Sequence, residues 1–313
     1  MLDILLVNWN AGPQLANVIS SIESHHDGLV TSVIVIDNAS TDNSLHLPDA
    51  HLRNLPFPLH IVRNKENRGF SAACNQGTSL AKSEYLLFLN PDTRLFENSL
   101  SVPLKFMQQP DNANVGICGI QLIDEAGSVA ITCARFPSLY RYTAEALGLT
   151  KLPRLRSWNH RMIEWDHRTT REVDQLMGAF FLVRANLFHA LKGFDERFFV
   201  YFEEVDFSYR AHMSGYRSIF LSDAQAFHAG GGTSQQVKAV RLFYALRSRL
   251  LYGFKHFSRI RAFMLLALTM LVEPVSRVVF SFLRGGVRDV RDTMAAYRML
   301  WHGLPDFLKR DLR

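Results

Sequence analysis

The amino-acid sequence predicts an α/β domain, a mostly parallel central sheet flanked by helices, with a helical and basic C-terminal extension. Three observations lead there. Short apolar runs alternate with helix-spaced segments through the N-terminal third. Those runs end on polar residues. The net charge of +6 is divided, with 15 Lys+Arg against 5 Asp+Glu in residues 224–313 and 20 against 24 in residues 1–223.

The run LDILLVNW (Leu2 to Trp9) is the first strand. Pro13 to Ser24 places Leu15, Val18, Ile19 and Ile22 at helical spacing. VTSVIVIDN (Val30 to Asn38) is apolar without alternation, as a strand covered on both faces requires. LHIVRN (Leu59 to Asn64) is a third strand, Phe70 to Leu80 a helix, and YLLFLN (Tyr85 to Asn90) a fourth strand. Strand and helix alternating at this pace build a parallel sheet with crossover helices. Val115 to Ile123 and Gly178 to Arg184 read as further strands, and 135–172 as an irregular insertion. Beyond Ser234 the chain reads as helical, with Gly285-Gly286 and Pro305 as breaks. The boundaries are thus 1–235 for the α/β domain, with its first 95 residues forming the binding half, and 236–313 for the extension.

A chain of 313 residues, 48% hydrophobic and 20% charged, is globular rather than disordered. Its three cysteines, Cys74, Cys118 and Cys133, have no CxxC spacing and read as small core residues in a reducing, cytoplasmic setting. Met1 to Val7 holds an acid, Asp3, and no basic n-region, so no signal peptide is expected. The absence of GxGxxG and GxxxxGK[ST] argues against a dinucleotide site or P-loop.

In open parallel sheets, ligands sit beyond the carboxyl ends of the strands. Here those ends are Asn8-Trp9-Asn10, Asp37-Asn38, Arg63-Asn64 and Asn90-Pro91-Asp92. In DNASTD (Asp37 to Asp42), Asp42 suits a helix cap, whereas Asp37 directly follows an apolar run and could accept a nucleobase N–H. In NKENRGFSAACNQG (Asn64 to Gly77), Gly69 permits close backbone approach, the helix behind it offers N–H groups, and Arg68 adds a cation. Asp92 reads locally as turn chemistry beside Pro91. Set among the other polar ends, it also suits a Mg2+ or Mn2+ ion on a diphosphate.

Glu203, Glu204 and Asp206 lie within aromatic surroundings and are candidate catalytic acids. Apolar neighbours raise a carboxylate's pKa and make it a better base. The plain alternative is that they favour the following helix's N-terminus, with Asp206 and Arg210 spaced i,i+4 for a surface pair. One acid is expected to be catalytic and the others structural. HAGGGTS (His228 to Ser234) pairs a His with three glycines and two hydroxyls, the composition of a loop closing over phosphate or metal.

In order, NWN, DNASTD, NRGF…N..G, NPD, GAFFLVR, GFDERFF, EEVD and HAGGGTS resemble glycosyltransferase family 2, of the Rossmann-like GT-A fold, in its rhamnosyltransferase-like branch. The resemblance spans roughly residues 2–234. It implies a nucleotide-sugar donor, dTDP- or UDP-linked, a divalent metal, and inversion by one displacement. It implies donor contacts from Asn8, Trp9, Asn10, Asp37, Asn38, Arg68, Gly69, Asn90, Asp92 and His228. Asp37 matches the base-binding Asp, Asp92 the last acid of the metal motif, Glu204 the general base, and His228 the His near the leaving diphosphate and metal. Asn90 stands where the metal motif usually begins with Asp. Glu204 stands where Asp is usual, which lengthens the base by one methylene and leaves a shared role for Glu203.

The extension holds seven Lys/Arg and no acid between Ala224 and Val272. Lys238 to Arg261 mixes bases, aromatics and leucines, and Ala262 to Val272 is uncharged for eleven residues. A spanning helix needs about 20, so a helix lying in a membrane interface is expected, with packing on the domain as the alternative. The leucine content disfavours nucleic acid. The expected activity is transfer of a sugar, L-rhamnose from dTDP-L-rhamnose before a UDP-hexose, onto a lipid-linked or glycan acceptor. The enzyme would lie on the inner face of the plasma membrane, with a homodimer left open. A nucleotidyltransferase would need a Gly-rich, Arg/Lys motif that NWNAGPQL lacks, and an inactive scaffold would lack acids at 92 and 204.

Overall fold

The computed structural model describes residues 1–46, 55–230, 238–283 and 287–311. Its strands are β1 (Leu2–Asn8), β2 (Val30–Asp37), β3 (Leu59–Arg63), β4 (Tyr85–Leu89), β5 (Thr93–Leu95), β6 (Val115–Ile123), β7 (Cys133–Ala134), β8 (Arg171–Val173), β9 (Gln175–Leu176), β10 (Phe180–Arg184) and β11 (Arg217–His228). Its helices are α1 (Gln14–His25), α2 (Phe70–Thr78), α3 (Ser101–Gln108), α4 (Leu139–Ala146), α5 (Ala185–Ala190), α6 (Glu203–Met213), α7 (Lys238–His256), α8 (Arg259–Ala267), α9 (Glu273–Leu283) and α10 (Val287–Asp311).

Two compact units emerge. The first comprises Met1–Arg135, Trp165–Glu196 and Glu203–Thr233, and the second Phe136–Glu164, Arg197–Phe202 and Ser234–Arg313. Segments 136–164 and 197–202, expected within the α/β domain, therefore group with the C-terminal helices. The reason lies in the apolar and aromatic face of α7. Phe199 stacks on Tyr244 with centroids 4.7 Å apart, and the Tyr142 ring lies under the Arg249 guanidinium.

In the first unit, one sheet runs β3-β2-β1-β4-β10-β6-β11-β5, with β8 on β11. The N-terminal half, β3-β2-β1-β4, is parallel as anticipated. β10 pairs antiparallel with both β4 and β6, and β5 and β8 pair antiparallel with β11, so the whole sheet is mixed. The core is built from the buried strand residues and the inner face of α1, namely Leu15, Val18, Ile19 and Ile22. On the other side α2 lies very close. A Cβ on Gly77 would sit 2.8 Å from Leu5 Cδ2, so glycine sets that approach. All three cysteines are buried and unpaired, as small core residues should be.

Register places the chemistry. Asn8 lies opposite Asp37, Asp37 opposite Arg63, and Leu6 opposite Leu89. β10 runs the other way, with Phe180 opposite Leu89, so its start meets the end of β4. His228, at the end of β11, lies opposite Thr93.

The second unit is helical. α7 and α10 pack through buried Leu246, Leu250, Leu251, Ala296, Tyr297 and Leu300. Lys238 to Arg261 is not one helix, because the chain breaks between His256 and Arg259. Pro305 does not end a helix but sits within α10. It costs one backbone hydrogen bond, and the buried Leu300 and Phe307 on either side keep the helix docked. Gly285-Gly286 lies outside the described residues.

Candidate active site

At the sheet's carboxyl edge, Asn8 is fully buried and its Nδ2 donates to Asp37 Oδ1 at 2.7 Å and to Ser44 Oγ at 2.8 Å. Asp37, also buried, accepts the Ser40 N–H on its other oxygen. Asn10 is tied to the same turn, since its N–H donates to Ser40 Oγ and its side chain accepts the Thr41 N–H. Asn10 and Ala39 both hold left-handed backbone, at φ 53° and 62°. Asparagine tolerates this conformation, whereas for Ala39 it is costly, and it persists because the surrounding hydrogen bonds fix the turn. Trp9 stands exposed beside them. Asp42 accepts the Gly12 N–H and bonds Ser44 within a turn, so its role among the described residues is structural without a helix to cap.

Asn38 organises the next loop. Its amide donates to the Gly69 carbonyl, and its oxygen accepts from Asn64 and from the Arg68 N–H. Gly69 takes φ 85°, ψ 167°, a conformation that only glycine adopts freely. It starts α2 without a side-chain cap, with Arg68 exposed immediately before it.

At the end of β4, the Asn90 N–H donates to Ala179 O and its carbonyl accepts from Thr93. The turn presents Asp92 toward β11. There His228 Nε2 lies 3.3 Å from Asp92 Oδ1, and the Ala229 N–H donates to the Asp92 carbonyl. The two side chains are 10% and 13% exposed, reachable yet sheltered. The glycines after Gly230 and the hydroxyls of HAGGGTS lie outside the described residues.

The three acids of EEVD fall in three different surroundings. Asp206 is fully buried and pairs with Arg210 Nε at 2.8 Å, while the same guanidinium donates to Leu191 O and Gly193 O. The expected surface pair is thus a buried clamp, because the aromatic cluster around Phe207 encloses it. Phe207 meets Phe188, Phe194 and Phe181 at centroid distances of 5.2, 5.6 and 6.1 Å. Glu203 is buried, and its Oε2 has no hydrogen-bond partner among the described residues. Burial, with Glu204 adding to it, pushes its carboxyl well above the usual carboxylate range. Glu204 is half-buried and lies over Gly178, where an added Cβ would stand 3.9 Å from it. That glycine adjoins Ala179, the partner of Asn90. Glu204 thus lies beside the segment that enters β10 at the end of β4.

The structure adds residues that the sequence did not single out. Asn75 clamps the backbone of Phe194 in both directions, at 2.8 and 2.9 Å, and so ties α2 to the loop before α6. Ser40 and Ser44 hold Asn8. Tyr201 and Phe202 enter α6 with φ 68° and 73°. Only the Asn and Ser content of DNAS hinted at such a network.

Two sequence profiles match the chain, Glycosyl transferase family 2 over residues 3–147 and Glycosyl transferase family group 2 over residues 85–308. The chain belongs to glycosyltransferase family 2. Within it, the chain is 27% identical over 239 residues to N-acetylglucosaminyl-diphospho-decaprenol L-rhamnosyltransferase of Mycobacterium tuberculosis, covering 73% of this chain and 76% of that one. It is 30% identical over 153 residues to rhamnosyltransferase WbbL of Escherichia coli, covering 48% and 52%. Among solved structures it resembles mannosyltransferase PcManGT of Pyrobaculum calidifontis, in complex with GDP-Man and Mn2+, at a TM-score of 0.58 and 17% identity over 99% of this chain and 85% of that one. This likeness shows the GT-A fold, and this family 2 member is a glycosyltransferase of rhamnosyltransferase-like sequence.

Proposed function

We propose that this glycosyltransferase moves a sugar with inversion from a nucleotide-sugar, dTDP-L-rhamnose first and a UDP-hexose second, onto a lipid-linked saccharide in cell-surface polysaccharide synthesis. The observation that carries the site is the meeting of Asp92 and His228, 3.3 Å apart, with Glu204 beside the segment that enters β10 at the end of β4. The rhamnosyltransferase relatives support the donor, and the mycobacterial relative, whose name includes a diphospho-decaprenol, supports the acceptor class.

Asp92 and His228 fit a Mg2+ or Mn2+ ion as one carboxylate and one imidazole ligand. Among the described residues no group of three or more metal-ligating side chains exists. Among the described residues these two are the candidate ligands, and an ion that keeps waters and takes diphosphate oxygens suits them. When bound, such an ion neutralises charge on the leaving diphosphate.

The remaining work belongs to the chain. Asp37, held by Asn8 and Ser40, presents a carboxylate for a nucleobase N–H. Gly69 allows the diphosphate close to the α2 N-terminus, with Arg68 beside it. Glu204 removes the proton from the acceptor hydroxyl as that oxygen attacks the anomeric carbon and the diphosphate departs. Burial, with Glu204 beside it, raises the Glu203 carboxyl's pKa and so disfavours a second negative charge next to Glu204. Asp206 holds Arg210 and through it the loop that leads into α6.

Thermal shift and donor hydrolysis with purified protein, Mg2+ and a panel of dTDP- and UDP-sugars test this reading. Stabilisation by dTDP-L-rhamnose above the others is expected. A panel in which no nucleotide sugar shifts the melting temperature overturns it.

A further inference from the structure

The helical unit carries an apolar face that no described residue covers. Ile260, Phe263, Met264, Leu271, Val275, Val279 and Phe282 are all exposed, Ile260 and Phe282 at 76% and Leu271 at 69%. Their spacing, with Phe263 and Met264 adjacent and Leu271 two turns on, keeps them on one side of the path, so they form one stripe along α8, the π-helical turn Leu268–Val272 and α9. From Arg259 to Phe282 that is 24 residues, or about 36 Å of helix at 1.5 Å per residue. A continuous exposed apolar stripe of this length marks an interaction surface rather than scattered surface residues.

The opposite face is fixed. Ala262, Leu265, Thr269 and Glu273 are buried. A Cβ on Gly253 of α7 would stand 2.6 Å from Leu265 Cδ2, so α7 and α8 pack closely. Arg249 of α7 bonds Glu273 and donates to Thr269 Oγ1 at 2.8 Å, and Arg277 Nε donates to Glu273 at 2.8 Å. Burial opposes ionisation of Glu273, but Arg249 and Arg277 outweigh it and hold the carboxyl below its usual range. The segment is long and apolar enough to cross a bilayer by composition. Crossing would tear its inner face from α7 and carry the Glu273–Arg249 pair toward the hydrocarbon centre, which is expensive.

Charge identifies the occupant. Residues 238–283 hold eight Lys/Arg and a single acid, Glu273. Arg259 and Arg261 stand exposed at the start of the stripe. We propose that this stripe lies flat in the headgroup–acyl boundary of an anionic phospholipid bilayer, held by its apolar side chains and by the arginines that begin it. This deepens the lipid-linked acceptor reading by naming the membrane-facing surface. It can be tested without donor or acceptor, so its failure is distinct from failure of the transfer reading.

The experiment is flotation of the full chain with vesicles of phosphatidylcholine alone or mixed with phosphatidylglycerol, in low and high salt. Binding is expected to the mixed vesicles, weakening as salt rises and lost on carbonate wash. Phe263→Asp and Phe282→Asp should each lower the partition coefficient about tenfold or more, and Arg259→Glu or Arg261→Glu about fivefold. Unchanged melting temperature and unchanged far-UV circular dichroism in these variants would show that folding is intact. Leu80, exposed in the first unit, gives a control: Leu80→Asp should bind as the unaltered chain does. Failure to float with either vesicle, or stripe variants that bind normally, overturns the proposal. Retention after carbonate wash overturns it in favour of a spanning helix.

Discussion

Replacing Asp206 by Asn separates structure from chemistry within the acid cluster. The Asp206 carboxylate is fully buried, whereas Arg210 keeps 20% of its side-chain exposure. Removing one partner of a buried pair costs about 3–5 kcal/mol. The partly solvated Arg210, which retains its bonds to Leu191 O and Gly193 O, points to the lower end, about 3 kcal/mol. At about 2–4 °C per kcal/mol for a unit of this size, the melting temperature should fall by about 6–12 °C. Arg210→Met should fall similarly, and the double variant should lose much less than the sum, because the singles break the same contact. The assay is thermal unfolding by circular dichroism, with donor turnover measured well below the transition and normalised to folded protein. A variant that melts normally but has lost turnover would refute the reasoning and move Asp206 into the reacting site.

Glu204→Gln should leave donor-induced stabilisation intact and lower transfer by on the order of 10^2–10^4-fold, the usual contribution of a general base. Normal transfer would exclude Glu204. Asp92→Ala should remove the metal dependence of donor turnover, and His228→Ala should weaken it, both read by titrating Mn2+ against turnover. Glu203 has a raised folded pKa, so the folded chain retains a proton that the unfolded chain releases near about 4.3. Its contribution is therefore present below that value and declines as pH rises toward the folded pKa. Glu203→Gln should flatten this decline and raise the melting temperature at neutral pH, as scans from pH 4 upward would show. Gly116→Ala would bring a Cβ within 2.9 Å of Tyr216 Cβ, and denaturant unfolding should record a loss of about 1–3 kcal/mol.

The parallel half of the sheet was legible because β1, β2 and β4 are buried on both faces and read as largely apolar runs. Their polar ends were legible for the same reason, since Asn8, Asp37 and Asn90 interrupt those runs abruptly. The antiparallel half was not. β5 has three residues, too few to show a pattern, yet its pairing with β11 is what brings His228 to Asp92. Spacing announced the Asp206–Arg210 pair but not its burial, which depends on phenylalanines from β10, α5 and the loop after it. In the extension, the uncharged run Ala262 to Val272 stops at Glu273. Arg249, a helix away, neutralises it and lets the helical path continue. The left-handed backbone at Ala39, Tyr201 and Phe202 had no local signal, because these residues do not favour it on their own.

The central claim is that Asp92, His228 and Glu204 form one sugar-transfer site. Its most direct measurement follows radiolabelled sugar from dTDP-L-rhamnose into a lipid-extractable saccharide, with the unaltered chain, Asp92→Ala and Glu204→Gln compared side by side under Mg2+. Transfer by the unaltered chain, loss in both variants, and retained donor binding in Glu204→Gln alone are the expected results. Transfer that survives in both variants would contradict the account.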